Sequence, residues 1–332
     1  MIRRQLSVRL LLIFLSMKNF FARVLIVTLA CLAQIQVSGC NSALSGGNEP
    51  DMSVDMSIDP NAPDLSLAGD GGVVIRTDAG TSVCYPATCQ GKLYQCGNCL
   101  DDDNDGLFDS QDPDCLGPCD NTETGLTLGI PGANNAPCKQ DCFFDQDTGS
   151  GNDDCYWDHR CDTNEVAPNY YPEGSACKYD ATTKLGGGLS CTAAAAVGGQ
   201  SATCQSVCGP LTPNGCDCFG CCAIGPQATQ TTGIWLGSTD AAGNPSCTLD
   251  QLGDPAKCHP CQITPVCFKP CGRCQLCIGK STLPADCYPS GGGGSGCPAT
   301  LCPNRQACGV AGCAACPAGQ YCLTGCCTAV VG

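Results

Sequence analysis

The residues with the clearest capacity for chemistry are the aspartates between Cys99 and Cys115. Three carboxylates stand at alternate positions, a glycine follows the third, and further aspartates come four and then three residues later. Counted from the first, positions 1, 3, 5, 7, 9 and 12 are Asp101, Asp103, Asp105, Leu107, Asp109 and Asp112. Calcium takes about six to eight oxygen ligands, which this spacing supplies from the carboxylates and the backbone carbonyl at position 7. The pattern therefore predicts a calcium loop.

One register alone fits this loop. A shift of one residue loses Gly106 from position 6, where glycine permits the sharp turn that folds the carboxylates inward. The last position holds Asp112, which has a shorter reach than glutamate, and no amphipathic helices flank the loop. The bounding cysteines, Cys99 and Cys115, indicate covalent closure in place of a helix pair. A solvated acidic turn is the alternative interpretation.

A second acidic stretch, "CFFDQDTGSGNDDC", lies at residues 142–155. Its aspartates Asp145, Asp147 and Asp153 are further candidate metal ligands. A loop begun at Asp145 lacks glycine at its sixth position, so an acidic turn closed by a disulfide is the favoured interpretation here.

The N-terminus carries the pattern of an export signal. Two apolar runs follow basic residues, and the second run ends in "VSGC" at residues 37–40. A positive segment, an apolar segment and small residues before a cleavage site describe a secretory signal at residues 1–39, with Met17 the expected start. We expect lipidation at Cys40. A transmembrane anchor is the alternative, but the apolar stretch is shorter than the roughly 20 residues needed.

Charge limits the partners. Residues 1–39 hold five basic and no acidic residues, so 11 Lys and Arg remain against 31 Asp and Glu, a net charge of −20. Such a chain is not expected to bind nucleic acid or an anionic membrane surface through its own field. Divalent cations are its natural partners.

Cysteine content predicts the fold class. Beyond Cys31 and Cys40, 34 cysteines lie between Cys84 and Cys327, whereas residues 84–332 contain only 33 Leu, Ile, Val and Phe. Cysteine at more than about 8–10% in an exported chain indicates a disulfide scaffold. We therefore predict small disulfide-rich modules, mostly irregular with short β-strands, without a large hydrophobic core.

The cysteines divide the chain into blocks. We predict that residues 40–83, from the lipidated cysteine onward, form a disordered acidic tether, because their composition cannot bury enough surface to order them. The even cysteine counts of the blocks permit each to close its own bridges. The remaining segments are a cysteine-rich region at 84–222, a cysteine-free connector with strand character at 223–246, a module at 247–289, a Gly/Ser linker at 290–296 and a separate knob at 297–332. Residues 191–208 are the best candidate for a short helix.

The C-x-x-C stretches at 258–261 and 271–277 leave three interpretations open. Their spacing suits zinc or a redox pair, but behind an export signal disulfides are favoured, so we do not expect a zinc site. The vicinal pairs Cys221-Cys222 and Cys326-Cys327 should each bond to two different partners.

No pattern predicts catalysis. The two histidines, His159 and His259, lie in no motif, and the glycine-rich stretches contain no nucleophile elbow or phosphate loop. We expect a protein that is not an enzyme.

The acidic loop "DxDxDGxxDxxDPDC" resembles thrombospondin type 3 repeats and a metal-binding motif of cysteine-rich surface lipoproteins of the delta-proteobacterial (myxobacterial) type. The resemblance is specific over about 20 residues; the lipid signal, acidic tether and cysteine-rich body extend it loosely to the whole chain. It implies that the five loop aspartates bind the ion and that Asp114 serves a second ion.

These features together predict a lipid-anchored protein of the cell envelope, at the outer membrane or cell surface. Structural calcium would stiffen binding or adhesion modules for an unknown envelope or extracellular protein or glycan. Capture of copper or zinc by free thiols is an alternative function, and a surface spacer is another.

The anchor gives the first testable prediction. Palmitate supplied to cells expressing the full chain should label the protein, and Cys40→Ala should abolish the label because the acyl group is carried through that sulfur. The matched variant Cys31→Ala, within the signal, should keep it. Equal labelling of the Cys40→Ala chain would contradict the anchor.

Overall fold

Short strands joined by turns make up most of the computed structural model, which describes residues 64–67, 72–77, 80–128, 134–135, 138–145, 153–164, 174–226, 228–288, 296–298 and 300–330. The export signal, Cys40 and the greater part of the 290–296 linker lie outside these residues. Contacts group Pro60–Gly332 into one compact unit. Within the ranges given, no helix is long and apolar enough to cross a membrane.

The strands pair only in the antiparallel sense. They are β1 (Asp64–Leu67), β2 (Val73–Thr77), β3 (Gly80–Cys84), β4 (Thr88–Cys89), β5 (Lys92–Leu93), β6 (Asn134–Asn135), β7 (Lys139–Gln140), β8 (Trp157–Asp158), β9 (Cys221–Cys222), β10 (Thr232–Trp235), β11 (Pro260–Gln262), β12 (Gln320–Leu323) and β13 (Cys326–Ala329). They form three-stranded sheets in the orders β1-β2-β3, β6-β7-β8 and β11-β10-β9, and the hairpins β4-β5 and β12-β13. The predicted strand in the connector is confirmed, because β10 is the centre of its sheet.

Two helices lie where the sequence favoured one, α1 (Cys191–Ala195) and α2 (Ala202–Leu211). Serine side chains cap both N-termini: Ser190 Oγ accepts from Ala193 N at 3.2 Å and Ser201 Oγ from Cys204 N at 2.9 Å. Such caps satisfy N–H groups that a helix leaves without a partner. Disulfides hold α2 in place through Cys204 and Cys208, which bond to Cys155 and Cys142.

Disulfides provide most of the cross-linking. All 34 cysteines from Cys84 to Cys327 are paired, in 17 bridges. The largest core cluster contains 26 buried residues, of which 12 are half-cystines, and the rings of Trp157 and Phe219 stack at 5.6 Å inside it. The predicted fold class is confirmed, since sulfur takes the place of aliphatic side chains.

The predicted block structure holds only in part. Four bridges close the last block on itself, but Cys218–Cys267 and Cys221–Cys261 join the first two blocks. Each vicinal cysteine pair does bond to two different partners. Even cysteine counts therefore identified one self-contained block and missed a covalent link.

The C-terminal block is not separate in space. Leu301 packs in one cluster with Leu276 and Leu283 of the preceding module. The Asn214 side chain donates to the carbonyls of Leu276 and Thr324, at 3.1 and 3.4 Å. The expected independent knob is wrong because buried leucines on both sides give the two surfaces a shared apolar contact.

Strands also enter the segment that we predicted to be a disordered tether. The first sheet, β1-β2-β3, lies within residues 64–84. Ile75 is 2% exposed and packs in a cluster with Cys99 and Phe108, and Cys84 bonds to Cys99. Average acidity concealed a short Val- and Ile-containing strand, β2. Its neighbour β3 ends at Cys84, and the disulfide from Cys84 to Cys99 fixes this sheet to the folded region.

Thiol titration tests this pairing. The exported protein should give essentially no reaction with Ellman's reagent in concentrated guanidinium, whereas Cys218→Ser should release one equivalent from Cys267. Many free thiols in the unmodified chain would contradict the pairing.

The double variant Cys218→Ser/Cys267→Ser opens a bridge with a sequence separation of 49 and should lower the free energy of unfolding by about 4 kcal/mol. The matched variant Cys271→Ser/Cys277→Ser, with a separation of 6, should lower it by about 2 kcal/mol, because a bridge across a longer loop restricts the unfolded chain more.

Candidate metal centre

Two disulfides hold the acidic loop at its ends. Cys99 bonds to Cys84, and Cys115 bonds to Cys96, at sequence separations of 15 and 19. The predicted flanking cysteines therefore close the loop, although they do so through neighbouring cysteines and not by bonding to each other.

Inside the loop, carboxylates bind the backbone that follows them. Asp101 accepts from Asn104 N at 2.7 Å and from Gly106 N at 2.9 Å. Asp103 accepts from Asp105 N at 3.0 Å, and Asp105 accepts from Leu107 N at 2.7 Å. Gly106 has φ +93°, a conformation that residues with a side chain rarely adopt. The turn at position 6 thus has the conformation for which glycine was predicted.

Glu123 joins the site from outside the loop. Carboxylate oxygens of Asp101, Asp103 and Glu123 lie within 4.8 Å of one another. Glu123 is only 1% exposed, and it accepts from Asp109 N at 2.9 Å and Asp102 N at 2.6 Å. It follows the loop in "CDNTETG", where no spacing signals a ligand. Sequence reasoning missed it because its approach depends on how the disulfides fold the chain back.

Asp112 and Asp114 add buried oxygens to the same group. Among the described residues, Asp112 Oδ2 and Asp114 Oδ1 have no hydrogen-bond partner, and Asp112 is only 3% exposed. Burial raises the pKa of both groups, that of Asp112 to about 6, and the charges of Asp103 and Asp105 raise both further. Four loop aspartates therefore act on one another electrostatically.

Asp109 has a different position from the one that its spacing predicts. Both of its oxygens accept from Cys99 N, at 3.2 and 3.1 Å, and the residue is 5% exposed. Burial raises its pKa to about 7. Asp109 closes the loop onto the flanking residue Cys99. Its role as a ligand stays a prediction, as does that of the Leu107 carbonyl.

The C-terminal hairpin reaches this acidic group through Tyr321. The side chain is 5% exposed, and its hydroxyl has no hydrogen-bond partner within the described part of the chain. Burial raises the pKa of Tyr321 well above its usual value, and the charges of Asp109, Asp120 and Glu123 add to the shift. The acidic loop and the C-terminal block are therefore electrostatic neighbours.

The described ends of the second acidic stretch, residues 142–145 and 153–155, are mostly buried. Asp153 accepts from Cys142 N and Cys155 N, both at 3.0 Å. Oxygens of Asp145 and Asp153 lie within 4.8 Å of Cys142 Sγ, but that sulfur is bonded to Cys208 and cannot act as a thiolate. Asp147 lies outside the described residues. These contacts give Asp153 a structural role, and ion binding here stays a prediction.

The C-x-x-C cysteines are all in disulfides: Cys258 with Cys247, Cys261 with Cys221, Cys271 with Cys277, and Cys274 with Cys287. These cysteines therefore cannot supply thiolates to a soft metal.

His159 is packed in the interior. The residue is 2% exposed, and its ring meets that of Trp235 edge-on at 4.8 Å. Burial lowers its pKa to about 3, which keeps the imidazole neutral. His259 is also buried, at 7% exposure.

No protein-family description, curated protein or solved structure matches this chain. The class that its own structure defines is a disulfide-rich module of the kind found outside the cytoplasm, because disulfides at this density persist in oxidising compartments.

The acidic centre predicts a specific pH dependence. Burial raises the pKa of Glu123 to about 7 and that of Asp112 to about 6. A carboxyl whose pKa is raised by folding stabilises the fold while it is protonated, and this contribution is lost as the pH rises through 6 and 7. The melting temperature in chelator should therefore fall between about pH 5 and about pH 8, and millimolar-range calcium should restore it at the higher pH.

Glu123→Gln removes one of these titrating groups and should flatten the fall. The exposed variant Asp254→Asn changes the same charge away from the centre and should leave it unchanged. A melting temperature in chelator that rises over this pH range would contradict the assignment.

Proposed function

We propose that this protein is a non-catalytic, calcium-stabilised module of the cell envelope, which binds or adheres to an envelope or extracellular partner. The observation that carries the proposal is the convergence of Asp101, Asp103 and Glu123, with ligand oxygens within 4.8 Å of one another. Asp112 interacts with the charges of Asp103 and Glu123, and its buried Oδ2 has no hydrogen-bond partner in the described chain.

The donor set suits a hard divalent cation. Asp101, Asp103, Asp105, Asp112 and Glu123 offer carboxylate oxygens only, and calcium prefers oxygen ligands at irregular geometry. An oxygen that already accepts a backbone N–H has a second lone pair for an ion. Without a cation, these charges repel one another in a partly buried site. The proposed ion relieves that repulsion.

A structural role for the ion follows from the position of the site. The loop is held by two disulfides and borders the C-terminal block at Tyr321, so a cation there would strengthen a contact between two parts of the fold. We expect an affinity in the range of extracellular modules, roughly 10⁻⁴ to 10⁻³ M.

Export and anchoring complete the proposal. The predicted signal at residues 1–39 and lipidation of Cys40 would place the protein on a membrane of the envelope, and the 17 bridges suit an oxidising compartment. Soft-metal capture, the alternative predicted from sequence, requires thiolates that the disulfides occupy. The binding role is supported by the predicted location and by the disulfide-rich construction.

Calorimetry with calcium tests the site on the whole exported chain. Binding should be lost in Asp103→Asn/Asp105→Asn and weakened about tenfold or more in Glu123→Gln, because each change removes charge from the ligand set. Asp102→Asn is the matched control, since Asp102 lies in the same loop but accepts from Asn98 Nδ2 at 2.8 Å and occupies no predicted ligand position. No heat from the unmodified chain, or equal loss in the control, would reject the proposal.

A further inference from the structure

A cleft lies between α2 and the C-terminal block, next to β13. Its volume is about 730 Å³, within the usual range for ligand sites. Its lining includes Lys269 and Arg305 and contains no aspartate or glutamate among the described residues. Apolar groups, among them Pro210, Pro317 and Ala329, also line it. The cleft is therefore mixed in polarity, and its charged groups are cationic.

This charge is exceptional in the protein. Beyond the signal, carboxylates outnumber Lys and Arg by 31 to 11. Even so, in the described ranges neither Lys269 nor Arg305 forms an ion pair, whereas Arg160 and Arg273 each pair with an aspartate. Lys269 and Arg305 lie close enough for their charges to interact, and burial with this repulsion lowers the pKa of Lys269 to about 8. Two cations held together without a carboxylate favour an anionic ligand.

Both cations keep donors available for such a ligand. Lys269 Nζ donates to Thr212 O at 2.8 Å, and Arg305 donates from one Nη to Thr328 Oγ1 at 2.8 Å. An ammonium has three N–H donors and a guanidinium has five, so each bond fixes the side chain and leaves most donors unused. The fold therefore fixes the position of both side chains and leaves N–H donors available on each.

Amide side chains distinguish the cleft from a simple anion site. Gln205, Asn304, Gln306 and Gln320 all line it, and Gln306 is oriented by donating to Ala314 O and Ala315 O at 3.3 and 2.7 Å. An amide offers both donors and an acceptor, which match a hydroxyl group that also donates and accepts. A bare oxyanion uses donors only. The lining therefore suits a ligand with one anionic group and several hydroxyls.

We propose that this cleft binds an acidic saccharide, with the carboxylate of the sugar between Lys269 and Arg305 and its hydroxyls on the surrounding amides. The proposal names a ligand for the binding role proposed above, but it stands on residues away from the acidic loop. At physiological salt the Debye length is about 8 Å, so the net negative charge elsewhere does not prevent a local contact of this kind.

Titration of the full exported chain with cellobiouronic acid, followed by NMR or calorimetry, tests the proposal. Cellobiose is the matched neutral ligand, because it differs only in carrying a hydroxymethyl group in place of the carboxylate. The acid should bind, and cellobiose should bind at least about tenfold more weakly, as expected for loss of a charge-assisted contact. Arg305→Gln should weaken binding of the acid by a similar factor. Inorganic phosphate should compete poorly, because it does not use the amide acceptors.

Arg273→Gln is the control variant. It makes the same change of charge at an exposed position, where Arg273 pairs with Asp286, and should leave affinity within about twofold. Melting temperatures verify that both variants fold. Absence of binding, equal binding of cellobiose, phosphate binding as tight as that of the acid, or an unchanged affinity in Arg305→Gln would each overturn the proposal.

The two proposals fail separately. Glu123→Gln should leave saccharide binding unchanged, and Arg305→Gln should leave calcium binding unchanged. Loss of saccharide binding with calcium binding intact would reject the cleft alone, and the reverse result would reject the acidic loop alone.

Discussion

A backbone with little regular structure must still satisfy its N–H groups and hold its turns, and in this protein most other features depend on how it does so. Sheets of two or three short strands leave many N–H groups outside any ladder. Buried aspartates bind several of them. Asp217 is 0% exposed and accepts from Phe219 N, Cys221 N and Thr264 N, at 3.0, 2.9 and 2.7 Å. One carboxylate thus connects a cysteine-rich turn to a distant segment.

The same residue type therefore serves two purposes that sequence does not separate. Asp120 accepts from Leu116 N and Thr122 N, both at 3.1 Å, and has no place in the predicted ion loop. Asp109 does have a place in it, yet its contact with Cys99 N is of this turn-closing kind. Burial raises the pKa of Asp109, Asp120 and Asp217 because the charged form loses its water. A raised pKa alone does not distinguish an ion ligand from a turn cap. The convergence of Asp101, Asp103 and Glu123 supports an ion site where a single capping carboxylate does not.

Local signals predicted what short stretches of chain determine. The spacing of the loop predicted the turn at Gly106, because a positive φ depends only on one residue and its neighbours. The connector strand and the helical stretch at 191–208 follow from local composition in the same way. Glu123 could not be placed, nor could the Cys218–Cys267 bridge, because both depend on which cysteines meet. With 34 cysteines the number of pairings is too large for sequence to decide. The ordered part of the predicted tether was missed because composition was averaged over a long segment.

The closure of the acidic loop by Cys84–Cys99 and Cys96–Cys115 sets an order of events in maturation. In a reduced chain nothing fixes the two ends of the loop or returns Glu123 to it, so the carboxylates remain spread along a flexible segment. The arrangement that brings them together is a product of oxidation. Newly made protein in a reducing compartment would lack the assembled centre, even where divalent cations are present. Thiol chemistry thus comes first, and the centre is complete only after the disulfides have formed.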